Sequence, residues 1–562
     1  MKTLLILFLS VQTLLIRAAD TVHVVTHNRQ TVVTNPAKGF NLYKAWGRFP
    51  SAKEPIRQIK LHVTFGCPDT MRCADWSITL DFEIIKGKAA MESISIHKIY
   101  DGAFRYGDSS RSIETDLKPI IFTAHAEAQL ARLRIVQTGH GMDKPDGCGE
   151  FCNKYRELWF DDKLINRKSI WKECGENPLY PQAGTWVFDR AGWCPGYLMQ
   201  PDLYDLNVRP GQQHKIDVNM EPYKASTPSA EEVISAYLIQ YKRPAAQYDV
   251  RIDNVIAPSS KDDYRRFNPS IIQPKILVRN LGKATITAMD IRYGTMGFSK
   301  KRFQWKGTLA SGTVDTVALP GTIDSKEGLN EFEVEIMRVN GKKDVYAPDN
   351  KTAVPFKAAP GHDSTLVVYL LTNNQPAQNG YMLRNSDGDV IKKRDSGSLD
   401  ANTVYRDTIV LAKGRYRFTI NDTAGNGLEF CANARGGRGK LRLLNGKGEM
   451  IKDFESDFGS FVQYDFEVGA GTNTVAPQPS YGLYPTRTND KTTFDFFANT
   501  PQDVVVQIVT DPGEKVVEEH RYAQLKEALF TYDLSRFPKG RFYFKAIING
   551  EEEFKKRIRL KE

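Results

Sequence analysis

Short runs of alternating apolar and polar residues, each closed by Gly, Pro, Asn or Asp, recur along the whole chain. Ile59-Lys-Leu-His-Val-Thr-Phe65, Ser77-Ile-Thr-Leu-Asp-Phe-Glu-Ile84 and Arg415-Tyr-Arg-Phe-Thr-Ile420 are examples. A period of two sends successive side chains to opposite faces of a pleated strand, so such runs code for strands with a buried face. Helical periodicity is nearly absent, and Ala230 to Tyr241 is the one stretch that reads as a possible helix. The pattern predicts an all-β chain of sandwiches in series.

At 562 residues there is length for about four domains. Basic residues number 77 and acidic residues 67, a net charge of only +10. No block of five like charges occurs, so a nucleic-acid partner is not expected. The start is more specific. Lys2 precedes an almost wholly apolar run from Leu4 to Ile16, and the small Ala18 and Ala19 precede Asp20. This is the layout of a secretory signal peptide over residues 1–19, cleaved after Ala19. No later segment reaches 18 apolar residues, so no transmembrane span is expected in the mature chain.

Seven cysteines fit export. Six lie between Cys67 and Cys194 in close pairs, which suggests Cys67–Cys73, Cys148–Cys152 and Cys174–Cys194; spacing alone leaves the other pairings open. Cys431 is left over and reads as a small buried hydrophobe. No Cys-x-x-Cys or nearby His supports zinc, and no metal or cofactor is expected.

The chemistry concentrates between Thr138 and Gly196. There lie Gly139-His-Gly-Met142, Cys148-Gly-Glu-Phe-Cys152, Cys174-Gly-Glu-Asn-Pro178, Gln182-Ala-Gly-Thr-Trp186 and Asp189-Arg-Ala-Gly-Trp-Cys-Pro-Gly196. Gly, Pro, Cys and Trp at this density make rigid, disulfide-pinned loops. Aromatic faces beside Arg and carboxylate groups suit sugars. Glu150, between two cysteines, is the leading acid, with Arg190, Trp186, Trp193 and His140 as candidate sugar contacts.

These motifs resemble the second domain of the peptide-N-glycosidase F family, bacterial glycoamidases that remove N-linked glycans. Phe49-Pro-Ser51, Cys67-Pro-Asp69 and Cys73-Ala-Asp-Trp76 resemble the first domain of the same family. The resemblance covers about residues 21–240. It implies tandem jelly rolls, hydrolysis of the amide between N-acetylglucosamine and asparagine, and N-glycosylated proteins or glycopeptides as partners. Glu150 is then the second family carboxylate and Arg190 a sugar contact. The family's water-activating Asp directly follows the first-domain Trp; here that position is Ser77. The middle of the first roll is also missing, and with it a Glu and an Arg near the sugar. Asp75, two residues before Ser77, shares its strand face and is the candidate substitute base.

The domains are therefore expected at 20–90 (a shortened jelly roll), 91–241 (a full one), 247–358 (immunoglobulin-like), 362–468 (a further β-sandwich or jelly roll) and 481–562. In the fourth, Asn421-Asp-Thr-Ala-Gly-Asn-Gly427 reads as a plain turn rather than a calcium loop. The last unit resembles the C-terminal sorting domain of the type IX secretion system. Tyr484-Pro-Thr486, Asp511-Pro-Gly-Glu-Lys515, Asp533-Leu-Ser-Arg-Phe-Pro-Lys-Gly540 and the basic end Lys555 to Lys561 carry that likeness. It implies a Bacteroidetes-type source, contact with the type IX machinery and a secreted or cell-surface location. Three readings follow: an exported glycoamidase, a glycan-binding surface protein that has lost its base, and a copper monooxygenase. The nine histidines are scattered with no His-x-His, which disfavours copper.

Overall fold

The computed structural model describes residues 21–33, 43–51, 53–66, 75–182, 184–227, 229–430, 432–433, 435–469 and 479–561. The proposed signal peptide, Cys67–Cys73 and Cys431 lie outside the described residues. The chain is nearly all β, with 56% strand and 5% helix.

The first sheet is antiparallel and three-stranded. β1 (Thr21–Val33) and β2 (Ile56–Gly66) flank β3 (Asp75–Lys86). Among the described residues it forms a single layer rather than a closed roll. Its lower end is tied to the immunoglobulin-like unit. The Arg57 guanidinium donates to Asp249 at 2.8 Å and to Asp349 at 2.8 Å, and lies 3.9 Å from the Tyr346 ring centroid. Tyr346 Oη donates to the Lys86 carbonyl at 3.0 Å.

The second unit is a sandwich of two four-stranded sheets. β4 (Ser93–Tyr106), β5 (Ile120–Thr123) and β6 (Leu130–His140) are followed by the one-turn helix α1 (Cys148–Phe151). Next come β7 (Tyr155–Phe160), β8 (Lys163–Ser169), the short β9 (Trp171–Lys172) and β10 (Arg190–Ala191). β11 (Asp202–Leu206), β12 (Gln213–Met220) and β13 (Ala230–Tyr241) complete it. One sheet runs β11-β6-β13-β4 and the other β5-β12-β7-β8. Leu133, Ile135, Leu158, Ile216, Val218, Ile234 and Leu238 fill the space between.

Ala230–Tyr241 is a strand, not a helix. It pairs with both β4 and β6 at the centre of its sheet. Its inner face holds Ile234, Ala236 and Leu238 but also Glu232 and Gln240, while Val233 and Ile239 lie on the outer face. With apolar residues on both faces and polar ones inside, the period of two is blurred.

Three further β units follow. Residues 250–357 form a three-stranded sheet against a four-stranded one around Ile276, Val278, Ile291, Phe332 and Val334. Residues 361–468 form a five-stranded sheet against a four-stranded one. Its hairpins Asn379–Asn385 with Val390–Arg394, and Lys440–Asn445 with Met450–Asp453, are antiparallel pairs. Residues 480–560 form a six-stranded sheet built on the long strands Lys491–Thr510 and Val516–Asp533. The basic end of the sequence, up to Leu560, lies in its last strand, Glu551–Leu560.

Candidate functional site

The site is built at the end of β6, where three glycines let backbones touch. Gly139 on β6 packs so closely that an added Cβ would come 2.3 Å from the Gly149 carbonyl. A Cβ on Gly149 would meet Ala230 at 2.2 Å. Gly192, at φ +83°, sits against the Gln137 carbonyl and turns the chain after β10. No larger residue fits these contacts. They press α1 and β10 against β6, and Asp143 Oδ1 accepts from the Gly149 N–H at 2.9 Å to hold the α1 turn.

Cys148 and Cys152 bridge across α1 with Cα atoms 4.5 Å apart. Glu150 is thereby fixed facing β10. Arg190 Nε donates to Glu150 Oε1 at 3.1 Å, and among the described residues Glu150 Oε2 receives only a long bond of 3.4 Å from the Gly141 N–H. The rest of the guanidinium is spoken for: Nη1 donates to the Phe188 carbonyl at 2.5 Å, and Nη2 to the Thr185 carbonyl at 2.9 Å and hydroxyl at 3.0 Å. Burial pulls the Arg190 guanidinium below its usual range, and the Glu150 carboxylate opposes that pull.

Trp193 and Phe151 flank the pair, their ring centroids 5.0 and 5.2 Å from the guanidinium carbon. Trp193 Nε1 donates to the Gly139 carbonyl at 3.1 Å, and its ring meets His140 at 5.3 Å. His140 Nε2 shares a hydrogen bond of 2.8 Å with Thr138 Oγ1. Glu150, Arg190, Trp193 and His140 therefore form one cluster. A carboxylate with one oxygen oriented and the other lightly held can accept from a sugar hydroxyl or a water, beside an indole face suited to stacking.

Trp186 goes elsewhere. It is 1% exposed, packs with Val187 and Phe430, and donates from Nε1 to Asp457 Oδ2 at 2.8 Å. A buried indole offers no face to a sugar, so Trp186 does not take the stacking role expected of it. Burial, opposed by the Trp186 hydrogen bond, lifts the Asp457 carboxyl to about 7. The surrounding motif residues are scaffolding too. Asn177 Nδ2 and Gln182 Nε2 both donate to the Pro195 carbonyl, at 2.8 and 3.1 Å. Cys174–Cys194, with Cα atoms 5.5 Å apart, closes that loop. Asp189 Oδ1 accepts from the Cys174 N–H at 2.9 Å.

Ser77 is buried, at 7% exposure, in the middle strand of the first sheet, in register with Thr31 and Gly66. Asp75 opens the same strand two residues earlier, hence on the same face. Its side chain lies outside the described residues. Asp75 and Lys86 are at opposite ends of β3, about 35 Å apart at ~3.3 Å per residue, and it is the Lys86 end that is anchored at Tyr346.

One residue beneath the cluster is missed by the sequence reading. Glu232, on the inner face of β13, is fully buried behind Gly139, where an added Cβ would come 2.9 Å from Oε1. Glu232 Oε2 accepts from Gln137 Nε2 at 2.9 Å, and Oε1 has no partner among the described residues. Only a polar residue at an inward strand position marks it in the sequence, and that needs the register to be known. The turn at 421–427 is held by Asp422, whose Oδ1 accepts from the Ala424 and Asn426 N–H groups at 3.0 and 2.9 Å. No group of three or more potential metal-ligating His, Cys, Asp or Glu occurs among the described residues.

Residues 108–247 match the family model described as Peptide-N-glycosidase F, C terminal. No curated protein matches the chain. Among solved structures, PNGase F, a glycosylasparaginase from Flavobacterium meningosepticum, is similar at 17% identity and TM-score 0.34, over 40% of this chain and 96% of that one. Dimeric latent PorU from Porphyromonas gingivalis is similar at 11% identity and TM-score 0.19, over 57% of this chain and 35% of that one. A GH2 β-galacturonidase from Eisenbergiella tayi is similar at 11% identity and TM-score 0.20, over 54% and 44%. The matched segment 108–247 holds the whole Glu150, Arg190, Trp193 and His140 cluster, so the candidate site lies in the part of the chain that is similar to the C-terminal domain of peptide-N-glycosidase F.

Proposed function

We propose that the chain is an exported glycoamidase that hydrolyses the amide between N-acetylglucosamine and asparagine in N-glycoproteins. The observation that supports this reading is the Glu150–Arg190 pair, pinned by Cys148–Cys152 under the Trp193 ring. The indole takes the apolar face of the first sugar, and Glu150 Oε2 accepts from a sugar hydroxyl or the leaving nitrogen side. Water adds to the asparagine side-chain carbonyl, the C–N bond breaks, and aspartate and a glycosylamine result; the glycosylamine then loses ammonia. Water is a weak nucleophile and needs a base. A Ser at position 77 is not one at neutral pH, so Asp75 is assigned that role. Export through the sorting-type C-terminal unit, to the surface or medium, belongs to the same proposal. No helix among the described residues is long and apolar enough to cross a membrane.

A second reading, a glycan-binding surface protein without hydrolytic activity, is favoured by the buried Ser77 and by the single-layer first sheet. One experiment separates them: release of N-glycan from a denatured glycoprotein by the purified mature chain, beside Glu150→Gln and Asp75→Asn. The glycoamidase reading expects release by the wild type and a loss of about 10²–10⁴-fold in the Asp75 variant. No release by the wild type overnight at high enzyme, together with retained binding on a glycan array, would establish the second reading instead.

A further inference from the structure

Roughly 20–26 Å from His140 along β6, toward the strand's other end, a cleft of about 330 Å³ opens between the first sheet, the jelly roll and the immunoglobulin-like unit. Five arginines line it: Arg57, Arg132, Arg134, Arg251 and Arg279. They come from β2, β6 and two strands of the immunoglobulin-like unit, Val250–Ala257 and Lys275–Asn280. Among the described residues no carboxylate lines it.

Arg132 donates from Nε and Nη2 to Asp205, at 2.5 and 2.8 Å. Arg251 and Arg279 share Asp253 through Nε alone, at 2.6 and 2.8 Å. Their Nη groups donate to nothing among the described residues. Arg134 has no hydrogen bond or ion pair there at all. Arg57 is committed to Asp249, Asp349 and the Lys88 carbonyl. Each guanidinium offers five N–H donors, and unfilled donors gathered in a recess call for an acceptor. Leu203 and Ile239 supply apolar surface, and Tyr241 an aromatic side chain.

We propose that this cleft is an oxyanion-binding site, taking a sulfate, phosphate or carboxylate group either free or carried on a sugar. The guanidinium fork matches two oxygens of such a group at once, and several forks on one recess exclude neutral ligands. The apolar and aromatic wall would accept the ring of an anionic sugar. The site stands apart from the Glu150 cluster and does not depend on the amidase reading.

The test is calorimetric titration of the mature chain, at about 20 mM and about 200 mM salt, with inorganic sulfate, glucose, glucose 6-sulfate and glucuronate. The three anions are expected to bind and glucose is not, with affinity falling as salt screens the site. Inorganic sulfate binding as tightly as glucose 6-sulfate would identify a free anion as the ligand; tighter binding of the ester would identify an anionic sugar. Arg134→Gln, which breaks no contact among the described residues, should weaken binding at least about tenfold, Arg134→Lys less, and the distant Arg302→Gln not at all. No binding of any anion at about 20 mM, or unchanged affinity in Arg134→Gln and Arg279→Gln, would overturn the proposal.

Discussion

Glu232 is the residue whose chemistry conflicts most with its surroundings. Burial lifts its carboxyl to about 7, against the lowering effects of the Gln137 hydrogen bond and the charge of Arg156. Gln137 Oε1 accepts from Arg156 Nη1 at 3.0 Å, so the amide relays between the two charges. A carboxyl raised in the folded state holds its proton there after the unfolded chain has lost it. Stability therefore falls as pH rises from about 4.5 to about 7 and stays low above that. Glu232→Gln keeps the shape and removes the ionisation. It is expected to stabilise the jelly roll by about 3 kcal/mol at pH 8, with little effect at pH 4. Urea midpoints across this pH range, read by pulsed hydrogen exchange on β6 and β13, check it; parallel pH curves for both proteins would count against it.

The element that matters most is the segment from β9 to Pro195, since it holds little regular structure beyond the 3-10 turn Cys174–Glu176 and the two-residue β10 yet supplies Arg190 and Trp193. Its shape rests on Cys174–Cys194, on the Pro195 carbonyl shared by Asn177 and Gln182, and on the three Arg190 bonds to residues 185 and 188. Replacing both Cys174 and Cys194 by Ser reopens a span of 20 residues, worth about 3 kcal/mol. The expected result is rapid proteolytic nicking between residues 176 and 190 with the sheets intact, and loss of whatever glycan binding or release the wild type shows. Mass spectrometry of the fragments locates the cuts; nicking at the wild-type rate would remove the disulfide from this role.

At the scale of the molecule, three units meet on Arg266. It lies in the 3-10 helix Asp262–Phe267 of the immunoglobulin-like unit. Its guanidinium donates to the Asn177 carbonyl at 2.7 Å, Gly175 at 2.9 Å, Phe458 at 2.8 Å, and also to Phe461. Two of these carbonyls belong to the site loop and two to the unit at 361–468. Gly175 also accepts from the Ser460 N–H at 2.8 Å, and Phe188 meets Phe430 edge-on at 5.5 Å. The downstream sandwich thus forms the back wall of the candidate site. Arg266→Ala takes a donor from four carbonyls, of which Gly175 keeps the Ser460 N–H, at about 1–3 kcal/mol for each that is left unpaired and dry. It is expected to undock the 361–468 unit without unfolding it. Small-angle scattering should show a larger radius of gyration, and Trp186 fluorescence should shift to the red; an unchanged scattering curve would refute this.

The sequence by itself determined the all-β class and the cysteine-rich stretch that holds Glu150 and Arg190, because strand period, turn residues and short disulfide spacing are local information. It did not determine β13, whose apolar residues fall on both faces. Nor did it determine the fate of Trp186, whose partner Asp457 is 271 residues away. The packing of Glu232 behind Gly139 and the gathering of five arginines from separate strands were likewise decided by tertiary structure. The physical reason is the same in each case: period fixes which face a side chain takes, but only the docking of one sheet on another decides what that face meets.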